Sequence, residues 1–222
     1  MGKATRAAFG DALQRIGDTH PRVVVVDADL SCSTQTRKFA ETFPERFIQV
    51  GIAEGNMVGI AAGLALGGMV PFAASFACFI TGRFEQIRVS VGYNNANVKI
   101  VGTHSGCGIG EDGYSQMGLE DLALMRSLPN MVVIQPADAA ETEKATEFLA
   151  DYDGPAYLRL TRQSVPDIFD ASYRFDFGQG VELRTGSALT IVASGGVVAS
   201  ALAAAEALAG QGLDVGVVNM HT

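Results

Sequence analysis

The chain has 222 residues, 48% hydrophobic and 18% charged, with 26 Gly and 7 Pro, which excludes a disordered or collagen-like protein. The 16 Lys and Arg stand against 24 Asp and Glu, a net charge of −8. An acidic surface repels phosphate backbones and weighs against nucleic acid as a partner, so an anionic substrate would need a local cluster of Arg, His or backbone N–H groups.

Continuous β-branched runs alternate with helical patterns, which predicts an α/β fold with a parallel sheet buried on both faces. A helix is expected over 7–16, ending at Gly17, followed by a strand over 23–26 that stops at Asp27-Ala28-Asp29. A short strand over 47–50 leads to an Ala/Gly-rich helix over 54–66, then a strand over 69–74 and a helix over 84–91. The most apolar stretch, 57–72, is interrupted by Gly59, Gly63, Gly67, Gly68 and Pro71. It falls short of the roughly 20 residues a bilayer span needs, so no membrane association is expected.

A strand over 98–101 runs into a Gly-rich loop over 104–118, followed by a helix (120–127), a strand (131–134), a helix (139–149) and a strand (156–160). After a polar stretch, a second unit is expected as strand 189–192, helix 198–208 and strand 215–218. These elements divide the chain into a first domain over 1–165, a linker over 166–186 and an incomplete second domain over 187–222, since two strands and one helix cannot close a core. Cys32, Cys78 and Cys107 are odd in number and lack CxxC spacing, which predicts a reducing, cytoplasmic setting and no structural metal in this chain.

In open α/β sheets, ligands sit beyond the carboxyl ends of the strands. Four segments place polar groups at such ends, at Asp27–Ser33, Gly51–Asn56, Gly102–Gly113 and Leu160–Gln163, and together they predict one shared cleft. Glu54 opens an otherwise apolar helix. It reads either as a carboxylate favoured at a helix N-terminus or as a buried functional group that must find a hydrogen-bond partner. His104 likewise reads as a hydrogen-bonded loop residue or as a side chain facing a cavity. His20 and His221 are expected to be solvated. Gly110-Glu111-Asp112-Gly113 lacks the further ligands of an EF-hand and the Lys of a P-loop. Phe76, Phe79 and Phe84 form an aromatic stripe that is ordinarily core.

Taken together, Gly51-Ile52-Ala53-Glu54, Ser75-Phe76-Ala77-Cys78-Phe79, Thr103-His104, Gly110-Glu111-Asp112-Gly113 and Leu160-Thr161-Arg162-Gln163 resemble, in order and spacing, the pyrimidine-binding domain of transketolases. The similarity is greatest to the small subunit of split, two-chain members. Residues after the linker resemble the start of the transketolase C-terminal domain. The resemblance implies thiamine diphosphate chemistry, with the cofactor as electron sink. Glu54 matches the catalytic glutamate that hydrogen-bonds the aminopyrimidine ring nitrogen, and Phe76 and Phe79 match the aromatics packed on that ring. His104 matches a histidine that contacts the donor sugar, Asp112 one that contacts a substrate hydroxyl, and Arg6, Ser33 and Arg162 the phosphate-recognition positions.

Three departures carry consequences. Gln116 stands where the family commonly has His; it can hydrogen-bond but cannot exchange a proton at neutral pH. Gly82 replaces a larger side chain against the pyrimidine. The Gly-Asp-Gly and later Asn that hold the diphosphate and its divalent metal (Mg or Ca) are absent from this sequence. The resemblance therefore implies a separate diphosphate- and metal-binding subunit, a homodimer through the pyrimidine domain, and a heterotetramer of the two chains acting on sugar phosphates. Other readings are a β-type subunit of a 2-oxoacid dehydrogenase, a deoxyxylulose phosphate synthase-like enzyme, and a non-catalytic partner subunit. Arg6, Ser33 and Arg162 favour a phosphate-bearing donor over a bare oxoacid.

Overall fold

The computed structural model describes residues 2–222. In chain order it contains α1 (Thr5–Thr19), β1 (Val23–Asp27), α2 (Ser31–Thr34), α3 (Arg37–Thr42), β2 (Phe47–Gln49), α4 (Glu54–Leu66) and β3 (Val70–Phe76). Then come α5 (Ala77–Thr81), α6 (Phe84–Gln86), β4 (Lys99–Thr103), α7 (Asp121–Arg126), β5 (Val132–Ile134), α8 (Ala139–Asp151) and β6 (Ala156–Arg159). The remaining elements are β7 (Val181–Arg184), β8 (Leu189–Ala193), α9 (Val198–Ala209) and β9 (Val215–Asn219).

Strands β1 to β6 form one parallel sheet in the order β2-β1-β3-β4-β6-β5. Its central strands are fully buried, because their Val, Ile, Phe and Ala side chains are covered on both faces. On one face Phe9, Leu13, Phe39, Phe72, Leu149 and Leu158 pack beneath α1 and α8. On the other, Met57, Ala61, Ile87, Ile100 and Tyr157 pack beneath α4 and the turn after α6. Since every strand runs the same way, the ends of β1, β3, β4 and β6 open onto one edge. The strand order reverses between β1 and β3, where such sheets hold ligands.

Helix α4 keeps the expected bounds because glycine stops it. Gly68, at φ 89°, donates to the Ala65 carbonyl while Met69 donates to that of Leu64, so the last carbonyls are satisfied by a left-handed turn. Gly17 behaves differently. It was expected to end α1, yet the helix continues to Thr19. A Cβ at Gly17 would lie 2.2 Å from Cε2 of Phe43, so the glycine permits close packing rather than a stop. The helix expected over 84–91 is α6 continued as a π-turn through Ile87–Gly92.

Strands β7, β9 and β8 form a second, smaller sheet with β8 parallel and β7 antiparallel to β9. The stretch expected to be a structureless linker thus contributes β7, whose Val-Glu-Leu-Arg alternation carries one packed face. The two sheets are joined through Glu141 on α8. Its carboxylate accepts from Asn219 Nδ2 at 2.9 and 3.0 Å, Tyr173 Oη at 2.6 Å and the Ala137 amide at 2.6 Å. His221, expected to be solvated, is buried against the Phe175 ring, with centroids 4.5 Å apart. Among the described residues no helix is long and apolar enough to cross a membrane.

Candidate active site

The shared edge of the larger sheet gathers the polar strand ends. At the end of β1, the Asp27 carboxylate is fully buried. It accepts from the Leu30 amide at 2.7 Å, Thr34 Oγ1 at 2.8 Å and Thr36 Oγ1 at 2.9 Å. These bonds shape the turn that carries Ser33. The Ser33 carbonyl in turn accepts from Nη1 of Arg6, on α1, at 2.6 Å. One phosphate-recognition candidate is therefore positioned by the backbone of another.

At the end of β3, Phe76 and Phe79 stack with centroids 5.6 Å apart and planes inclined by 6°. The aromatic stripe is divided: Phe76 and Phe79 line this edge, whereas Phe84 packs against the core beneath α4. His104 follows β4 and lies over Phe76, with ring centroids 3.7 Å apart. Its φ of 56° is left-handed, a conformation a residue with a Cβ adopts at a cost of order 1–3 kcal/mol. The ring is 2% exposed, and Nδ1 lies 3.0 Å from Thr103 Oγ1. Burial, together with the nearby Arg6 and Arg162 charges, pulls the imidazole pKa down to about 4, so His104 is neutral near pH 7.

Arg162, just beyond β6, completes this side. Its Nη2 is 2.8 Å from Glu111 Oε1, and its Nε is 3.9 Å from Asp112 Oδ2. Burial and the Arg162 charge lower the pKa of Arg6, while Asp112 opposes that effect. Arg6, His104, Asp112 and Arg162 therefore lie within one electrostatic neighbourhood.

Glu54 begins α4 and is 7% exposed, yet its carboxylate oxygens are not among the buried atoms left without a partner, which among the described residues are Ser75 Oγ, Asn219 Oδ1 and His221 Nε2. It lies near enough to Cys78 for its charge to help raise that thiol's pKa, behind the larger effect of burial. The Cys78 thiol is itself 3.9 Å from Oε1 of Gln116. Glu54 and Gln116 are thus both linked to Cys78, which lies between Phe76 and Phe79 in the chain. Gly82 is exposed, and a Cβ there would meet only carbonyl oxygens of its own turn, the nearest 3.4 Å away.

The sequence reasoning missed the group that holds the loop over 104–118. Asp121, fully buried at the start of α7, accepts from Arg159 Nε at 2.7 Å, Arg159 Nη2 at 3.1 Å and Tyr157 Oη at 2.7 Å. Arg159 also donates to the Gly118 carbonyl at 3.3 Å, and the Gly106 amide to that same carbonyl at 2.8 Å. The loop is closed at its base by this pair. Only the placement of an acid at the first turn of an apolar helix hinted at it.

Comparison with known proteins gives the family and the fold. The family described as transketolase, pyrimidine binding domain, matches residues 1–167, and that described as transketolase, C-terminal domain, matches residues 178–222. A transketolase C-terminal section of Methanocaldococcus jannaschii is 46% identical over 99% of this chain and 71% of its own length. A 6-deoxy-6-sulfo-D-fructose transketolase subunit of a Clostridium species is 40% identical over 98% of this chain and 68% of its own. The solved structure of a split-gene transketolase, an inactive β4 tetramer, superposes with a TM-score of 0.92 at 49% identity, covering 100% of this chain and 72% of that one. The chain belongs to the transketolase family, a thiamine diphosphate-dependent family of transferases, and carries its pyrimidine-binding domain.

Proposed function

We propose that this chain is the pyrimidine-side subunit of a split transketolase that moves a two-carbon ketol unit between sugar phosphates. On this reading it acts in the cytoplasm, and only with a separate chain that binds the diphosphate and its divalent metal. The observation that carries the reading is Glu54, a mostly buried residue at the start of α4 whose carboxylate oxygens still reach solvent, at the sheet edge that also holds the stacked Phe76–Phe79 pair. A carboxylate so placed has no hydrogen-bond donor among the described residues of the chain itself and leaves that role to a ligand.

Thiamine diphosphate fits that need, because its aminopyrimidine offers a ring nitrogen to a carboxyl group and a flat face to aromatic rings. When bound, it supplies the electron sink for cleaving the bond next to a ketose carbonyl. Glu54 would hold the ring nitrogen, and Phe76 and Phe79 would wall the ring and exclude water. His104, kept neutral by burial and two guanidiniums, can donate one hydrogen bond and accept another at a sugar hydroxyl. Asp112 would take a second hydroxyl. Gln116 can orient the substrate but moves no proton. Arg6 and Arg162, with Ser33, would bind the phosphate, a pairing in which guanidinium forks suit the anion.

Support for a partner chain comes from the split-gene relative, whose β4 tetramer is inactive. The exposed face of α4 supports a homodimer through this domain: Ile52, just before the helix, is 83% exposed and Leu66 70% exposed. With a diphosphate-binding chain added, the assembly would be a heterotetramer.

The test is reconstitution. The isolated chain is expected to show no ketol transfer and no tight, magnesium-dependent binding of the cofactor. In the reconstituted complex, Glu54→Gln should abolish turnover while leaving thermal melting and assembly unchanged. Residual activity within about tenfold of wild type, or about 1.4 kcal/mol of barrier, would refute the role given to Glu54.

A further inference from the structure

We propose that Glu111 tempers the site's affinity for the anion of its donor: its carboxylate occupies Arg162 as an internal counterion, which the incoming anion displaces. The inference rests on the reading of Arg6 and Arg162 as the donor's anion site and assigns a role to a motif residue that reading leaves unused.

Charge balance is the first argument. Arg6 and Arg162 are close enough that each guanidinium disfavours positive charge nearby, on Arg6 from Arg162 and on His104 from both. Two such cations in one neighbourhood need compensation. Glu111 provides it at 2.8 Å from Arg162, while Asp112 stays at 3.9 Å. With both carboxylates in place the cluster is balanced, so an added anion gains little until one of them leaves.

The second argument is which one can leave. The Glu111 side chain is 80% exposed and sits on a short turn, Gly110–Asp112. That turn is bounded by Gly110 at φ 76° and Gly113 at φ 75°, both left-handed and both glycine. Rotating the Glu111 side chain into water needs no change in the buried structure. Arg162, by contrast, is seated against the loop: a Cβ at Gly110 would fall 2.6 Å from its Nη1. The guanidinium keeps its position while its partner is exchanged. An exposed ion pair of this kind is weak, and a phosphoryl group that accepts two parallel hydrogen bonds from the fork outcompetes it. A donor without an anion leaves the pair closed and gains nothing from Arg162.

The test uses the full chain and inorganic phosphate, followed through the amide shifts of Gly108, Gly110 and Gly113 at low ionic strength. Glu111→Gln removes the competing charge and keeps the side-chain shape. It should tighten phosphate binding by about two- to fivefold, the range a weak surface pair allows. Arg162→Met should weaken binding in both backgrounds. If Glu111→Gln leaves the affinity unchanged or lowers it while Arg162→Met still weakens it, the displacement inference is overturned and the anion site stands. If phosphate binding is indifferent to Arg162→Met, the anion site itself falls, and this inference with it. Melting curves of both variants guard against a folding defect, which an exposed loop residue such as Glu111 is not expected to cause.

Discussion

Replacing Asp121 with Asn tests whether the loop that bears Asp112 and Gln116 is held by a single buried ion pair. Asp121 is fully buried, Arg159 nearly so, and the pair is bidentate at 2.7 and 3.1 Å. Asn has the same shape and retains one acceptor oxygen, but both Asp121 oxygens accept from Arg159, so its NH2 faces a guanidinium N–H in either orientation. A guanidinium has no lone pair to offer; the better orientation leaves the oxygen to Arg159 Nε and Tyr157 Oη. Removing one partner of a buried pair costs about 3–5 kcal/mol, and with one hydrogen bond retained the lower figure applies, about 3 kcal/mol. For a chain of this length each kcal/mol lowers the melting temperature by about 2–4 °C, so the expected fall is about 6–12 °C. Circular dichroism melts and urea titrations measure it, the latter expected to show a lower midpoint at unchanged slope. Hydrogen exchange should rise at Gly106, whose amide bonds the Gly118 carbonyl that Arg159 also holds. A second variant separates lost attraction from stranded charge: Asp121→Asn with Arg159→Met should recover part of the loss, because no unpaired cation remains. A fall of less than about 2 °C in the single variant, or no recovery in the double, would refute the reasoning.

Two further outcomes are expected. Gly17→Ala should destabilise by about 1–3 kcal/mol, since its Cβ would press 2.2 Å from a Phe43 ring carbon, and the helix-propensity gain of about 1 kcal/mol offsets only part of that; a stabilised variant in a urea titration would show that the ring moves freely. His104 should titrate near pH 4, so the unfolded chain binds the extra proton between about pH 6.5 and 4; this group's contribution to stability is complete above about pH 6.5 and falls on acidification through that window, and an NMR midpoint near 6.5 would contradict its burial between Phe76 and the two guanidiniums.

Most of the larger sheet was legible because parallel strands buried on both faces announce themselves as unbroken apolar runs, as in Val23–Val26. What escaped were elements whose identity depends on a distant partner. β7 reads Val-Glu-Leu-Arg, an alternation indistinguishable from polar loop until β9 pairs with it. α5 hides inside an aromatic run, because Phe76 and Phe79 look like one helical stripe when they in fact bracket a strand end and a five-residue helix. His221 was expected in water because nothing local covers it; the cover is Phe175, from the stretch taken for a linker.

The same distinction explains why the candidate site was readable and its scaffolding was not. A parallel sheet delivers every strand end to one edge, so a polar residue just past an apolar run is placed by backbone alone, as His104 is after β4 and Arg162 after β6. The roles of Asp121 and Lys99 require knowing which chain segments meet. Lys99 stands within an apolar strand, and its buried ammonium is held by Asn97 Oδ1 and the carbonyls of Tyr152, at 2.7 Å, and Gly154, at 2.6 Å. Burial brings its pKa down to about 7, yet it lies at the opposite end of its strand from His104 and touches none of the candidate site residues. Perturbed titration alone therefore points to two places in this molecule. What separates them is the sheet's polarity: His104 sits at the carboxyl ends with the two guanidiniums, whereas Lys99 sits at the amino ends and binds together the turn after α8.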